Sequence, residues 1–263
     1  GRRSNGWMTR QSPNRGDTVV RSFEDSRFPG KERLFFLGAC SGDVLFIILK
    51  YFLAMNPFSD LSLLFGDMHN HCGISYAHGS LEDALSNARE QLDFVSITGH
   101  AHWPDMPEPN DDIQYIIDFH EEGFAKLKAG WPKMMETLKQ FNDEGNFVVF
   151  PGFEVHFGTC GDRNMLYKDL EGDILYPKNL EALHNQLRAL REQGRDVIAQ
   201  PHHLGYLKGT RGIDWNSFSP EFAPFVEMLS MHGCSESSEN IKPFLHSMGP
   251  SDWQSTIHYG SVS

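Results

Sequence analysis

Histidine is the residue type through which this chain could do chemistry, and several of its 13 copies stand beside glycine, proline or another histidine. His69 and His71 are two apart in Gly66-Asp67-Met68-His69-Asn70-His71, and His78 precedes Gly79. His100 and His102 flank Ala101, and Glu154 and His156 repeat the spacing of two. His202 and His203 follow Pro201, and His232 precedes Gly233. On an extended backbone alternate side chains point to the same side, so each such pair can aim two donors at one point. Imidazoles with a carboxylate, and no paired thiolates, suit Zn, Mn or Fe rather than a structural zinc knuckle. Two or three clustered divalent ions lower the pKa of water toward ~7 and stabilise both oxygens of a displacement. Hydrolysis, above all of a phosphoester, is the expected reaction. The expected metal ligands are His69, His71, His78, His100, Glu154, His202 and His232. His102 and His203 are the candidates to protonate a leaving group.

The elements that must position these residues alternate between strand-like and helix-like segments. Leu61 to Phe65 reads as a strand running out of the core to Gly66. Ser80 is an N-cap for a helix over Leu81 to Gln91, and Asp93 to Thr98 is a β-branched strand ending at Gly99. A helical region from about Asp111 to Asn142 is expected to break at Gly130-Trp131-Pro132. Phe147 to Phe150 is a strand closed by Pro151-Gly152, and Asn164 to Tyr167 is a strand or a returning loop. Leu180 to Gln193 is a helix stopped by Gly194, followed by strands at Asp196 to Gln200 and Phe225 to Ser230. Five successive strands thus end at a His or Glu. That is where an α/β barrel gathers its active site. His120 and His184 fall inside helices and read as helix-surface residues.

A net charge of -12 and a pI near 5.5 argue against a nucleic-acid partner, although bound cations can reverse the local potential for an anionic substrate. The expected partner is a small molecule, phosphorylated in the leading reading. Arg163, Lys208 and Arg211 are the basic residues near the motifs, each read as a solvated loop charge. The four cysteines are far apart and form no C-x-x-C pair, so they read as free thiols, with Cys72 a small core residue. This, with no secretory pattern, favours a cytoplasmic setting. The apolar run from Leu34 to Met55 is interrupted by Asp43 and Lys50, short of the ~20 residues that span a bilayer. It reads as a buried element, and no membrane partner is expected. Residues 1–60 form an arm and apolar segment, with Gly1 to Gly30 loosely attached, and residues 61–263 form the metal-binding unit.

With these residues in hand, the chain resembles the PHP (polymerase and histidinol phosphatase) superfamily. The matching pieces are Asp67-Met68-His69-Asn70-His71, His78-Gly79, Val95 to His100, Gly152-Phe153-Glu154-Val155, Pro201-His202-His203 and Val226-Glu227-Met228. A little-characterised branch with G-D-x-H-x-H and S-x-H-G-x-S-E segments, here Ser230 to Glu236, is the nearest in pattern. The resemblance covers roughly Gly66 to Glu236. It implies an α/β fold, a distorted (β/α)7 TIM-like barrel with up to three metals, and it implies the ligand set given above. Two positions depart from the pattern. Gly99 stands where the family has Asp, and the final S-D-x-H motif is represented only by Ser251-Asp252-Trp253-Gln254. The barrel is therefore expected to be incomplete at its C-terminus. An amidohydrolase-like C–N or ester hydrolase, and a non-catalytic metal-binding remnant, are the alternatives.

Overall fold

Side chains alternate in character along each strand, and the two resulting faces are both apolar for most of their length. The computed structural model describes residues 61–204, 206, 209 and 211–230 with their side chains, together with the backbone of four short strands elsewhere. In chain order the strands are β1 (Met8–Arg10), β2 (Val19–Arg21), β3 (Arg33–Leu37), β4 (Ser62–Asn70), β5 (Phe94–His102), β6 (Val148–Val155), β7 (Arg163–Tyr167) and β8 (Val197–Pro201). They form one sheet in that order. The β3–β6 run is parallel, whereas β6–β7 and β7–β8 are antiparallel. A separate antiparallel pair joins β9 (Leu229–Ser230) to β10 (Gly233–Cys234). The helices are α1 (Leu81–Arg89), α2 (Gln114–Phe141) and α3 (Leu180–Glu192).

This corrects the expected (β/α)7 barrel. Strands β4–β8 form a curled mixed sheet, a half-barrel, with three helices among the described residues. The cause is local. The link from Val155 to Arg163 cannot hold a crossover helix, which needs about a dozen residues, so β7 must turn straight back beside β6. The expected strand at Phe225 to Ser230 shrinks to β9, which pairs outside the main sheet.

One sheet face carries Val95, Ile97, Phe153, Val155, Met165, Tyr167, Val197 and Ala199, and helix residues Leu85, Leu127, Met134, Leu138, Leu183 and Leu187 cover it. Truncating a fully buried leucine such as Leu127 or Leu138 to Ala costs about 2–5 kcal/mol. The opposite face holds Leu64, Met68, Phe94, Val148, Phe150, Leu166 and Ile198, with Phe225 against them. Further along that second face the side chains become polar.

Several elements run past the expected stops. Strand β4 continues through Gly66 because the Phe94 ring fills the space a side chain would take, 2.2 Å from a Cβ built there. Strand β6 continues through Pro151-Gly152, where a Cβ on Gly152 would lie 2.5 Å from Ser96 Oγ. Helix α2 is continuous across Pro132, since buried Leu127, Trp131, Met134 and Leu138 anchor both sides of it and offset the ~3 kcal/mol that proline costs in a helix interior. The capping expectations hold. Ser80 Oγ accepts from Asp83 N at 3.0 Å, and Gly194 takes the left-handed conformation (φ 81°) after α3.

The start of the apolar run, Arg33–Leu37, pairs in parallel with β4. Short strands β1 and β2 fall within the segment expected to be loosely attached. The rest of residues 1–60, and Ser251 to Gln254, lie outside the described residues. No helix among the described residues is long and apolar enough to cross a membrane.

Candidate metal centre

The centre is built where the second sheet face turns polar. Strand register sets His100 beside Glu154, Glu154 beside Asn164, and Asn164 beside Gln200, one continuous row across β5, β6, β7 and β8. Two register shifts lie at ligand positions, one in β4 between Asp67 and Asn70 and one in β5 between His100 and His102. Bulges of this kind re-aim side chains at the ends of strands. Here they bring His69 and His100 toward the same carboxylate.

That carboxylate is Glu154, 1% exposed. Its Oε2 lies 3.2 Å from His100 Nδ1, 3.4 Å from His71 Nε2 and 3.5 Å from His69 Nε2. Its Oε1 lies 3.1 Å from His202 Nε2, 3.2 Å from His156 Nδ1 and 3.6 Å from Arg211 Nη2. Neither oxygen has a hydrogen bond among the described residues, nor do His202 Nδ1 and Nε2 or His71 Nδ1. Buried polar atoms in this state are costly unless a cation or donor completes them. Three groups of donors here lie within 4.8 Å of one another: His69, His71 and Glu154; His100, Glu154 and His156; and Glu154, Asp162, His202 and His203. Buried His/Glu/Asp clusters of this composition fit a divalent metal ion.

The electrostatics follow from burial and charge. Burial pushes the Glu154 carboxyl up, but His100, His202 and His156 outweigh it and hold it well below the usual carboxylate range. Burial lowers His71 to about 2, which keeps its ring neutral and able to ligate. At His69 burial also opposes charge, yet the Glu227 and Glu154 carboxylates prevail and raise it to about 10. Glu227 Oε2 sits 2.6 Å from His69 Nδ1, on the ring edge away from Glu154. A carboxylate there fixes the ring and leaves Nε2 to face the centre.

A second layer stands on the Oε1 side. Asp162 Oδ1 accepts from Phe157 N at 2.9 Å, and Oδ2 accepts from Arg211 Nε at 2.7 Å. Arg211 Nη2 donates to His156 Nδ1 at 2.7 Å, and the guanidinium lies over the Trp103 ring. His156 Nδ1 also faces Asp162 Oδ2 at 3.0 Å, so a donor and a carboxylate compete for it, and the ring's other nitrogen is Nε2. That nitrogen faces Tyr76 Oη at 3.2 Å and His100 Nδ1 at 3.0 Å. Tyr76 stacks on His100 with centroids 4.0 Å apart, and His71 stacks on His100 at 4.1 Å. Asp105 ties down the return loop, accepting from Trp103 Nε1, Gly158 N, Thr159 N and Thr159 Oγ1.

Of the expected ligands, His69, His71, His100, Glu154 and His202 come together. His78 is exposed and belongs to none of the three groups, and His232 lies outside the described residues. Of the two candidate acids, His203 joins the Asp162 group, while His102 donates from Nε2 to the Pro177 carbonyl at 3.1 Å and stands outside the groups. Histidine 120 is buried rather than on the helix surface, packed against Tyr76, Trp103 and His156. Cys72 is buried and its thiol is pushed up by burial, as a core residue should be.

His156, Asp162, Arg211 and Glu227 were not among the expected site residues. The spacing of Glu154 to His156 carried a signal for the first. Asp162 and Arg211 meet only through the return loop, which no spacing reveals. Among the basic candidates, Arg163 is buried with its guanidinium on the carbonyls of Cys160, Gly161 and Asp162, and Lys208 lies outside the described residues. Gly99 faces Leu127 and Ile74, on the helix-covered side.

No known family model matches this chain, and no curated protein matches it. Among solved structures the chain is similar to PsfC from Pseudomonas syringae PB-5123, with a TM-score of 0.39 and 18% identity. That match covers 62% of this chain and 64% of PsfC. A likeness of this degree carries no argument about fold or function.

Proposed function

We propose that this chain is a metal-dependent hydrolase of PHP type, acting on a phosphoester. The observation that carries the reading is Glu154, whose two buried oxygens face five imidazoles and have no hydrogen bond among the described residues. His69, His71, His100, Glu154 and His202 would hold the metals, and Glu227 would orient His69. Zn, Mn or Fe suits this donor set. Bound there, such ions supply Lewis acidity and a water of lowered pKa. The PHP-like motif order in the sequence supports the same reaction class.

The protein's own residues supply orientation and proton handling. Burial pushes His203 well below its ordinary value, which keeps its ring neutral near pH 7. Burial likewise lowers His102, whose Nε2 is committed to Pro177. Between these two, His203 is the better placed for proton transfer. Hydrolysis at a C–N or carboxylic ester bond is the second reading. Its support is that Arg211, the basic side chain that the described residues bring to the centre, is itself bound to Asp162 rather than free to clamp a phosphate.

The test is elemental analysis of protein purified without chelator, with His69→Ala as control, followed by a screen of phosphoesters and carboxylic esters. Bound Mn, Fe or Zn lost in the variant, with phosphoester turnover, is the expected result. Tight metal binding without turnover would make the chain a non-catalytic metal-binding protein. Retained metal in His69→Ala would sink the assignment.

A further inference from the structure

The two oxygens of Glu154 face different company. On the Oε2 side stand three imidazoles, His69, His71 and His100. On the Oε1 side stand His156, His202 and a permanent cation, Arg211. The acidic member of that second cluster is Asp162, fully buried. Its Oδ1 accepts from Phe157 N, and its Oδ2 is the atom that faces His156, His202 and His203. Arg211 occupies that atom twice, through Nε at 2.7 Å and Nη2 at 2.5 Å. The same Nη2 reaches His156 Nδ1 at 2.7 Å and lies 3.6 Å from Glu154 Oε1.

A divalent ion needs its oxygen and nitrogen ligands at about 2.0–2.2 Å. An ion bound to Asp162 Oδ2 within the group of Glu154, Asp162, His202 and His203 would overlap the guanidinium nitrogens that already hold this oxygen. It would also place two positive centres within a few ångströms in a buried site, where repulsion is weakly screened. The backbone holds Arg211 in this place. Its φ is 69°, in the left-handed region that a non-glycine residue rarely adopts. Its N donates to Gly158 O at 2.9 Å and its O accepts from Asp162 N at 3.3 Å, so the residue is pinned to the same loop that carries Asp162.

We propose that the guanidinium of Arg211 fills a cation position on the Oε1 side of Glu154, so that the centre takes one metal fewer than its carboxylates and imidazoles alone would bind. Asp162 is then the counter-ion of an arginine and not a metal ligand. This rests on the metal-centre reading of the preceding subsection and sharpens its stoichiometry.

The test is metal content after saturation with Mn(II) and desalting, measured on wild-type protein and on Arg211→Gln, Asp162→Asn and the double variant. Arg211→Gln should carry one equivalent more than wild type, and the double variant should return to the wild-type count. Asp162→Asn alone should match wild type, an arm that stands even if Arg211→Gln does not fold. An unchanged count in folded Arg211→Gln overturns the proposal, and so does loss of one equivalent in Asp162→Asn. If wild type carries no more Mn than His69→Ala, the metal centre itself fails and the proposal fails with it. That pattern is distinct from a loaded wild type whose count Arg211→Gln leaves unchanged.

Discussion

Glu227 grips His69 by its outer nitrogen, Oε2 to Nδ1 at 2.6 Å, across 158 residues of sequence. The contact binds the segment after β8 to the end of β4 and determines which nitrogen of His69 faces Glu154. Glu227→Gln keeps the shape and removes the charge that orients and enriches the ring. The expected loss of metal affinity is roughly 10–100-fold, the usual effect of removing an orienting carboxylate. Chelator-competition titration checks this, and an unchanged affinity would show that His69 is held by other means.

Stability should fall with acid in a defined window. Burial lowers His156 to about 4 and His71 to about 2, against 6.5 for the unfolded chain. Between those values the unfolded state binds protons that the folded state refuses, so the folded state loses ground as pH drops below 6.5. For His156 the loss is on the order of 2 kcal/mol between pH 7 and pH 5. His69, raised to about 10, does not oppose this, because both of its states are protonated below its ordinary value. Urea midpoints at the two pH values, with chelator present, read the effect. A flat profile would mean that these rings are solvated in solution.

Gly99→Asp would introduce a carboxylate beside His100 in the sequence, and it should not strengthen the centre. A Cβ at 99 would point away from His100, 3.0 Å from Leu127 Cδ1 and 3.1 Å from Ile74. The carboxylate would be buried on the apolar side without a partner, at a cost of about 3 kcal/mol or more. Thermal melting should drop while metal affinity fails to rise. A gain in affinity would refute the orientation of this strand.

Asp105→Ala should loosen the return loop. The carboxylate accepts four hydrogen bonds, three of them from Gly158 and Thr159. Losing charge-assisted bonds of this kind costs about 2 kcal/mol. Limited proteolysis should then open the chain between Phe157 and Asp162 first. Cleavage elsewhere would place the weakest point in another loop.

Half of the centre was legible in residue spacing and half was not. The His69-x-His71 pair and Glu154 announced themselves because period-two geometry is local and robust. His202 was visible because it follows a buried strand directly. His78 was misplaced for the opposite reason: a loop histidine beside a glycine has no fixed direction, and this one points to solvent. Arg211 looked like a surface charge because nothing local shows that its backbone turns left-handed and delivers the side chain inward. The barrel expectation failed at the return from β6 to β7 and again at Phe225 to Ser230, which pairs outside the main sheet as β9. Strand ends bearing ligands suit a parallel barrel, but the short return from β6 to β7 reverses direction while keeping Asn164 in the ligand row beside Glu154. Helix α2 ran through Pro132 because packing on both sides overrode a local preference.

Glu154 stands on β6, the strand where the sheet changes from parallel to antiparallel. The β6–β7 hairpin closes a short loop, so Glu154, His156 and Asp162 can assemble within microseconds of chain collapse. His69 and His100 arrive by parallel pairings that must close long intervening segments, a slower search. The centre is therefore completed at a seam between an early half and a late half. Divalent ions added at the start of refolding should accelerate the late step by recruiting the second half to the first.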